Sequence, residues 1–185
     1  MDVLWYGARH DFKRMSKVWS DYADYAISIG DPIGSEEKST PPWAWKQFPH
    51  SKRLRLEFFD YDNPIEGAPS IKDVAKLIAF CESRNNQGRV LIHCHAGISR
   101  SSAAAIIVET LGKDSRASDM AIHRFMIVHP QCHPNFRMLV LADALTHNRY
   151  GFVDTYLRHE DKFIASFKKR YKFDTLYGYL RKIPK

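Results

Sequence analysis

The sequence predicts an α/β fold: a central, mainly parallel sheet flanked by helices, with a strand–loop–helix core. Three observations predict it. Strand-like segments alternate along the chain with segments of helical spacing, the order of a parallel sheet with crossover helices. The run Val90-Leu91-Ile92 is apolar at consecutive positions, which suits a strand covered on both faces. Between that run and the apolar stretch Ala103–Val108 lies His93-Cys94-His95-Ala96-Gly97-Ile98-Ser99-Arg100-Ser101, a polar strand-to-helix turn. A chain of 185 residues suits one domain with a sizeable core.

Val3 to Tyr6 reads as the first strand, closed by Gly7. Phe12 to Tyr22 carries Phe12, Met15, Val18 and Trp19 at helical spacing. Tyr25 to Ile29 is a second strand running into the turn Gly30-Asp31-Pro32. Residues 34–50 form a long polar surface loop with aromatic anchors at Trp43, Trp45 and Phe48, which either pin it to the core or line a cleft. Leu54, Leu56 and Phe58 alternate with other residues as a third strand, ended by Asp60-Tyr61-Asp62-Asn63-Pro64.

Ser70 and Asp73 have the spacing of a capping box. The helix they open is expected to bury Ile71, Val74, Ala75, Ile78 and Cys81, which makes Cys81 an inert core thiol. After the central strand and its loop, a helix reaches about Leu111, with Gly112 just past its end. Ser118-Asp119 opens a helix with Ile122, Phe125 and Met126 inward, ending before Pro130. Pro134-Asn135 introduces another, carrying Phe136, Leu139, Val140 and Leu145. Beyond it, Tyr156, Phe163, Ile164, Phe167 and Tyr171 keep helical spacing among Lys162, Lys168, Lys169, Arg170 and Lys172. Residues 151–185 are therefore read as a basic amphipathic extension packed on the same domain as 1–150. Contact of its basic face with an anionic membrane surface is the competing reading.

Composition narrows the function classes. No apolar run approaches the ~20 residues of a membrane span. The start Met1-Asp2-Val3-Leu4-Trp5 lacks a signal-peptide pattern, so a cytoplasmic location is expected. Cys81, Cys94 and Cys132 are too few and too widely spaced for a disulfide framework. The net charge of +7 favours acidic partners, but no nucleic-acid motif accompanies it and none is expected as a partner. No zinc pattern and no Walker A motif occur, so no metal or cofactor is expected.

The turn at 93–101 carries the chemistry. Loop amides and a helix start converge on an anion, and an arginine adds a bidentate fork. The same field favours a thiolate, the nucleophilic form of cysteine. Cys94, Arg100 after five intervening residues, and then Ser101 therefore place nucleophile, charge clamp and a hydroxyl in one segment. The anion would lie on His95, Ala96, Gly97, Ile98, Ser99 and Arg100. Gly97 lets backbone approach the phosphate closely.

HCHAGISRS resembles the signature of the cysteine-dependent protein tyrosine phosphatases, most of all the dual-specificity branch and its compact bacterial relatives. The resemblance covers about residues 1–150, which would then be a phosphatase catalytic domain. It implies a hydrolase of phosphorylated protein or peptide that works without metal through a phosphocysteine intermediate. Phosphotyrosine would be the substrate, with phosphoserine and phosphothreonine open. It also implies that His93 orients the loop, that Ser101 helps the thiolate leave, that Asn135 is a structural support, and that an aspartic acid protonates the leaving group. Asp60 directly follows a strand, at the end where a parallel sheet places its ligands, and is preferred. Asp62 has the separation from Cys94 closer to the family spacing. Asp24 and Asp31 lie near a strand end too and are ranked below both. Two other readings stand beside this one: a phosphoinositide phosphatase, and a non-catalytic phosphopeptide-binding module. Lipid-directed relatives often carry lysines where this loop has His95, Ile98 and Ser99. Cys132 is read as structural in preference to a disulfide partner for an oxidised Cys94.

Overall fold

A computed structural model describes residues 1–32, 34, 40–114 and 116–171, with side chains to Lys162. The apolar run at 90–92 forms the inner strand the sequence predicts. Strands β1 (Asp2–Ala8), β2 (Tyr25–Gly30), β3 (Arg53–Glu57) and β4 (Arg89–Cys94) make one sheet in the order β1-β4-β2-β3, every pair parallel. Because all four run the same way, their C-terminal ends lie along one edge. Ala8 pairs with Cys94, and Gly30 with Glu57. Ligands of open parallel sheets bind at this edge.

Pleating sends alternate residues of β4 to opposite faces. Val90, Ile92 and Cys94 join the larger core, whereas Leu91 joins a smaller one with Phe12, Ala26, Ala44 and Trp45. Each such fully buried aliphatic side chain contributes roughly 1.5–3 kcal/mol. Helices α3 (Ile71–Glu82), α4 (Arg100–Thr110), α5 (Ala117–Val128), α6 (Phe136–Leu145) and α7 (Phe152–Tyr171) cover the larger core. The short helices α1 (Phe12–Val18) and α2 (Trp43–Lys46) cover the other face. Helix α4 is buried all round from Arg100 to Val108, which is why its alanine-rich run reads apolar without a polar stripe.

Local expectations meet several tertiary corrections. The capping box at α3 is complete: Asp73 N–H donates to Ser70 Oγ, and Ser70 N–H to Asp73 Oδ2. Ile71, however, is exposed and Ala75 only partly buried. Leu77 and Phe80 join Val74, Ile78 and Cys81 in the core, because the first turn of the helix lies beyond its edge. Helix α1 stops at Val18, itself exposed, because the chain must turn back to reach β2, where Asp24 N–H bonds Arg89 O. The first strand runs on through Gly7 to Ala8, drawn out by its pairing with β4. The aromatic loop contains α2 and a 3-10 turn at His50–Lys52, and its two tryptophans part company. Trp45 is buried, donates from Nε1 to Ala26 O and lies under Arg53, while Trp43 is 70% exposed.

Helix α7 brings Phe152, Thr155, Tyr156 and His159 into the protein, and Asp143 caps its start by accepting from Phe152 N and Val153 N. The aromatic and basic side chains read at 163–172 lie outside the described side chains, and residues 172–185 outside the described residues. No helix among the described residues is long and apolar enough to cross a membrane.

Candidate active site

Each strand of the parallel sheet delivers a polar group to the same edge. Residues Arg9 and His10 follow β1, Asp31 follows β2, Asp60 lies just past β3, and Cys94 ends β4. The loop from Cys94 to Arg100 then turns into α4, with Ser99 as N-cap. An isolated bridge between Ala8 and Ala96, and the bond from Arg9 N–H to His95 O, tie this loop to β1.

Gly97 is required at the turn, though for a reason beyond contact with an anion. Its φ is +74°, and a Cβ there would stand 2.3 Å from Ala8 N and 2.4 Å from Gly7 C. Backbone packs on backbone at this point, so no side chain fits. Held in this conformation, Gly97 N–H donates to Cys94 Sγ at 3.2 Å. Ser101 Oγ, fully buried in the first turn of α4, lies 3.2 Å from the same sulfur. Cys94 is thus a buried sulfur that accepts from the Gly97 amide and, as a thiol, donates to the Ser101 hydroxyl. Neither of the other two thiols lies on this loop. Burial pushes both Cys81 and Cys132 up to about 12.

His93 sits on the opposite face of β4, against the ring of Phe12. Burial pushes its pKa down to about 3, so the ring is neutral. Its Nδ1 is 3.2 Å from Cys94 O, and a carbonyl only accepts, so the proton is on Nδ1. Nε2 is buried without a partner. The ring therefore braces the carbonyl end of the residue that carries the sulfur.

Arg100 is almost wholly buried, and its fork is divided. Nη1 donates to Asp31 Oδ1 at 2.6 Å and to Phe58 O at 2.7 Å. Nε is buried with no hydrogen-bond partner and lies 3.8 Å from Asp60 Oδ2. A buried donor left open beside a loop of amides is an arrangement that receives an anion.

The two candidate acids separate cleanly. Asp60 Oδ1 accepts from Ser99 Oγ at 2.6 Å and from Asn135 Nδ2 at 3.0 Å, so it is bound to the loop itself. Asp62 Oδ1 instead accepts from Phe136 N–H at 2.8 Å, anchoring the start of α6. Loss of hydration raises the Asp62 carboxyl, opposed by that bond. Asn135 links the parts: its side chain also caps α6 through Met138 N–H, and its backbone N–H donates to Ser99 O.

Cys94, Arg100, Ser101, Ser99, Gly97 and Asp60 are thereby brought together. His95 and Ala96 stand exposed at the rim, and Ile98 O accepts from His133 N–H. Asp31, ranked below Asp60 and Asp62 as the acid, is the carboxylate that accepts from Arg100, a role the sequence reading did not assign. Its signal was the one used for Asp60, an aspartate directly after a strand of the parallel set. Among the described residues no group of three or more His, Cys, Asp or Glu gathers as metal ligands.

No family model and no curated protein matches the sequence. Solved structures do match the fold. The Cydia pomonella PTP-2 phosphatase is similar at a TM-score of 0.53 and 21% identity, over 78% of this chain and 85% of that one. The human tyrosine phosphatase-like serine/threonine/tyrosine-interacting protein is similar at 0.53 and 24%, over 77% and 90%. PTPMT1, solved in complex with PI(5)P, is similar at 0.52 and 15%, over 81% and 93%. The chain has the fold of the protein tyrosine and dual-specificity phosphatases.

Proposed function

We propose that this protein is a metal-independent phosphatase that hydrolyses phosphotyrosine, with phosphoserine and phosphothreonine as further substrates, through a phosphocysteine intermediate. One observation carries the reading: the sulfur, an open buried guanidinium N–H and a loop-bound aspartate meet at one strand-end edge. A fold shared with phosphatases supports it.

In the first step the Cys94 thiolate attacks phosphorus, an S–P bond forms and the ester P–O bond breaks. Arg100, through Nε, and the loop amides hold the non-bridging oxygens as charge spreads over them. Asp60 gives its proton to the leaving oxygen. Its Oδ1 is held by two donors, which leaves Oδ2, the oxygen on the Arg100 side, for the transfer. In the second step the Asp60 carboxylate takes a proton from water, the water oxygen bonds phosphorus and the S–P bond breaks. Ser101 O–H donates to the departing thiolate, and inorganic phosphate leaves.

Turnover of an aryl phosphate with chelator present tests this. Wild type is expected to be active, Cys94→Ser to fall to background, and Asp60→Ala to lose about 10²-fold in kcat. Asp62→Ala should lose only a few-fold. Activity persisting in Cys94→Ser would overturn the mechanism, and a larger loss in Asp62→Ala would transfer the acid role. An inactive wild type that binds phosphopeptide would favour the binding module, in line with a neighbour described as phosphatase-like and interacting. Preferred turnover of a phosphoinositide would favour the lipid reading, which the PI(5)P-bound neighbour raises.

A further inference from the structure

Beside the catalytic edge, α1 and α2 enclose two adjoining clefts of about 350 and 390 Å³. Lys13, Trp43 and Ala44 line both, so the two clefts share a wall. The near end starts at Arg9 and His10, and Arg9 N–H donates directly to His95 O of the phosphate loop. The far end reaches Lys17 and Lys52. The groove thus runs outward from the site where the phosphoryl group would bind.

Its chemistry is basic and aromatic. Arg9, Lys13, Lys17 and Lys52 have no carboxylate partner among the described residues. Asp24, a carboxylate on the far cleft, is engaged by Arg89 at 3.4 Å. The indole of Trp43 forms the shared wall and is 70% exposed, unlike Trp45 two residues on. The spacing of the cations is also informative. Lys13 and Lys17 lie one turn apart on α1, about 6 Å along its axis. Alternate residues of an extended chain are about 6.6 Å apart. A peptide lying in the groove with acidic residues at alternate positions therefore matches both lysines. A concave channel with an aromatic wall suits an extended chain better than the flat surface of a bilayer.

We propose that this α1–α2 groove binds the acidic residues flanking the phosphorylated residue of a protein substrate. The proposal rests on the phosphatase reading and extends it to a substrate class: phosphoproteins whose phosphosite adjoins alternating Asp or Glu.

The test compares two phosphotyrosyl peptides, one with Glu-x-Glu on both flanks and one with Gln in their place, in wild type and in a Lys13→Glu/Lys17→Glu double variant. Both lysines are exposed, so folding should be retained. Wild type is expected to favour the acidic peptide by about tenfold in kcat/KM at low salt, with the preference shrinking as salt rises. The double variant should lose that preference and keep wild-type turnover of p-nitrophenyl phosphate. Equal kcat/KM for the two peptides in wild type, or a preference retained in the double variant, would overturn the proposal. So would binding to phosphatidylserine vesicles that the double variant loses while the peptides are treated alike. If wild type does not turn over p-nitrophenyl phosphate, the phosphatase reading fails on its own. The groove is then read by fluorescence anisotropy of both labelled peptides on Cys94→Ser protein, with and without the two lysine changes. Tighter binding of the acidic peptide, lost with the lysines, supports the groove, and equal binding overturns it.

Discussion

The loop at 94–100 and the α1–α2 groove lie side by side yet are built in opposite ways. Around the loop most polar side chains are bound to one another. Arg100 is held by Asp31 and Phe58 O, Asp60 by Ser99 and Asn135, and Cys94 by Gly97 N–H. In the groove the lysines stand exposed in water without ion pairs among the described residues. Preorganised groups in a dry site act at full strength on a developing charge, whereas exposed charges are screened and act mainly by selection. The first arrangement suits chemistry and the second suits choice of substrate.

The sharpest way to break this contrast is Arg100→Lys. It keeps the charge but loses the planar fork that reaches Asp31 and the anion together, so kcat/KM should fall by about 10³-fold or more, independently of salt. A loss under tenfold would mean that charge alone suffices in the loop, as it does in the groove. Asp31→Asn is a milder break. It leaves a hydrogen-bond acceptor for Nη1 but removes the carboxylate that holds the guanidinium, and about a tenfold loss in kcat is expected. A role in positioning requires that the loss reside in kcat and that Asp31→Glu recover part of it.

The smallest effect concerns stability. Folded His93 has its pKa near 3, below the ordinary value of 6.5 for the unfolded chain. Below pH 6.5 the unfolded state takes up a proton that folded His93 refuses until about pH 3. Stability should therefore be fully present above pH 6.5 and fall as pH drops toward 3, by at most about 1.4 kcal/mol per pH unit from this group. Urea midpoints at pH 7, 5.5 and 4.5 should show a shallower fall in His93→Asn than in wild type. Equal slopes would mean that the ring is hydrated. The lysines of the groove should show no such dependence.

The sequence by itself determined the α/β class, the inner strand at 90–92 and the chemical content of the loop at 93–101. It could do so because those signals are local. Period and apolar runs report burial, and a cysteine, an arginine and a hydroxyl within eight residues of one strand–loop–helix turn lie close together. The capping box at Ser70 and Asp73 was legible for the same reason, as both partners lie within one helical turn.

Only the tertiary structure shows Asp60 bound to the loop and Asp62 to the start of α6, Asp31 as a partner of Arg100, and Trp43 in water while Trp45 is buried. It also showed that Gly97 is needed against the backbone of Gly7 and Ala8, and that Ile71 lies past the edge of the core. Each of these depends on which strands are neighbours. The order β1-β4-β2-β3 brings residues 8, 31, 60 and 97 to one edge, although they are far apart along the chain. No local pattern records that adjacency, because it arises when the crossover helices lay the strands in parallel and align their ends.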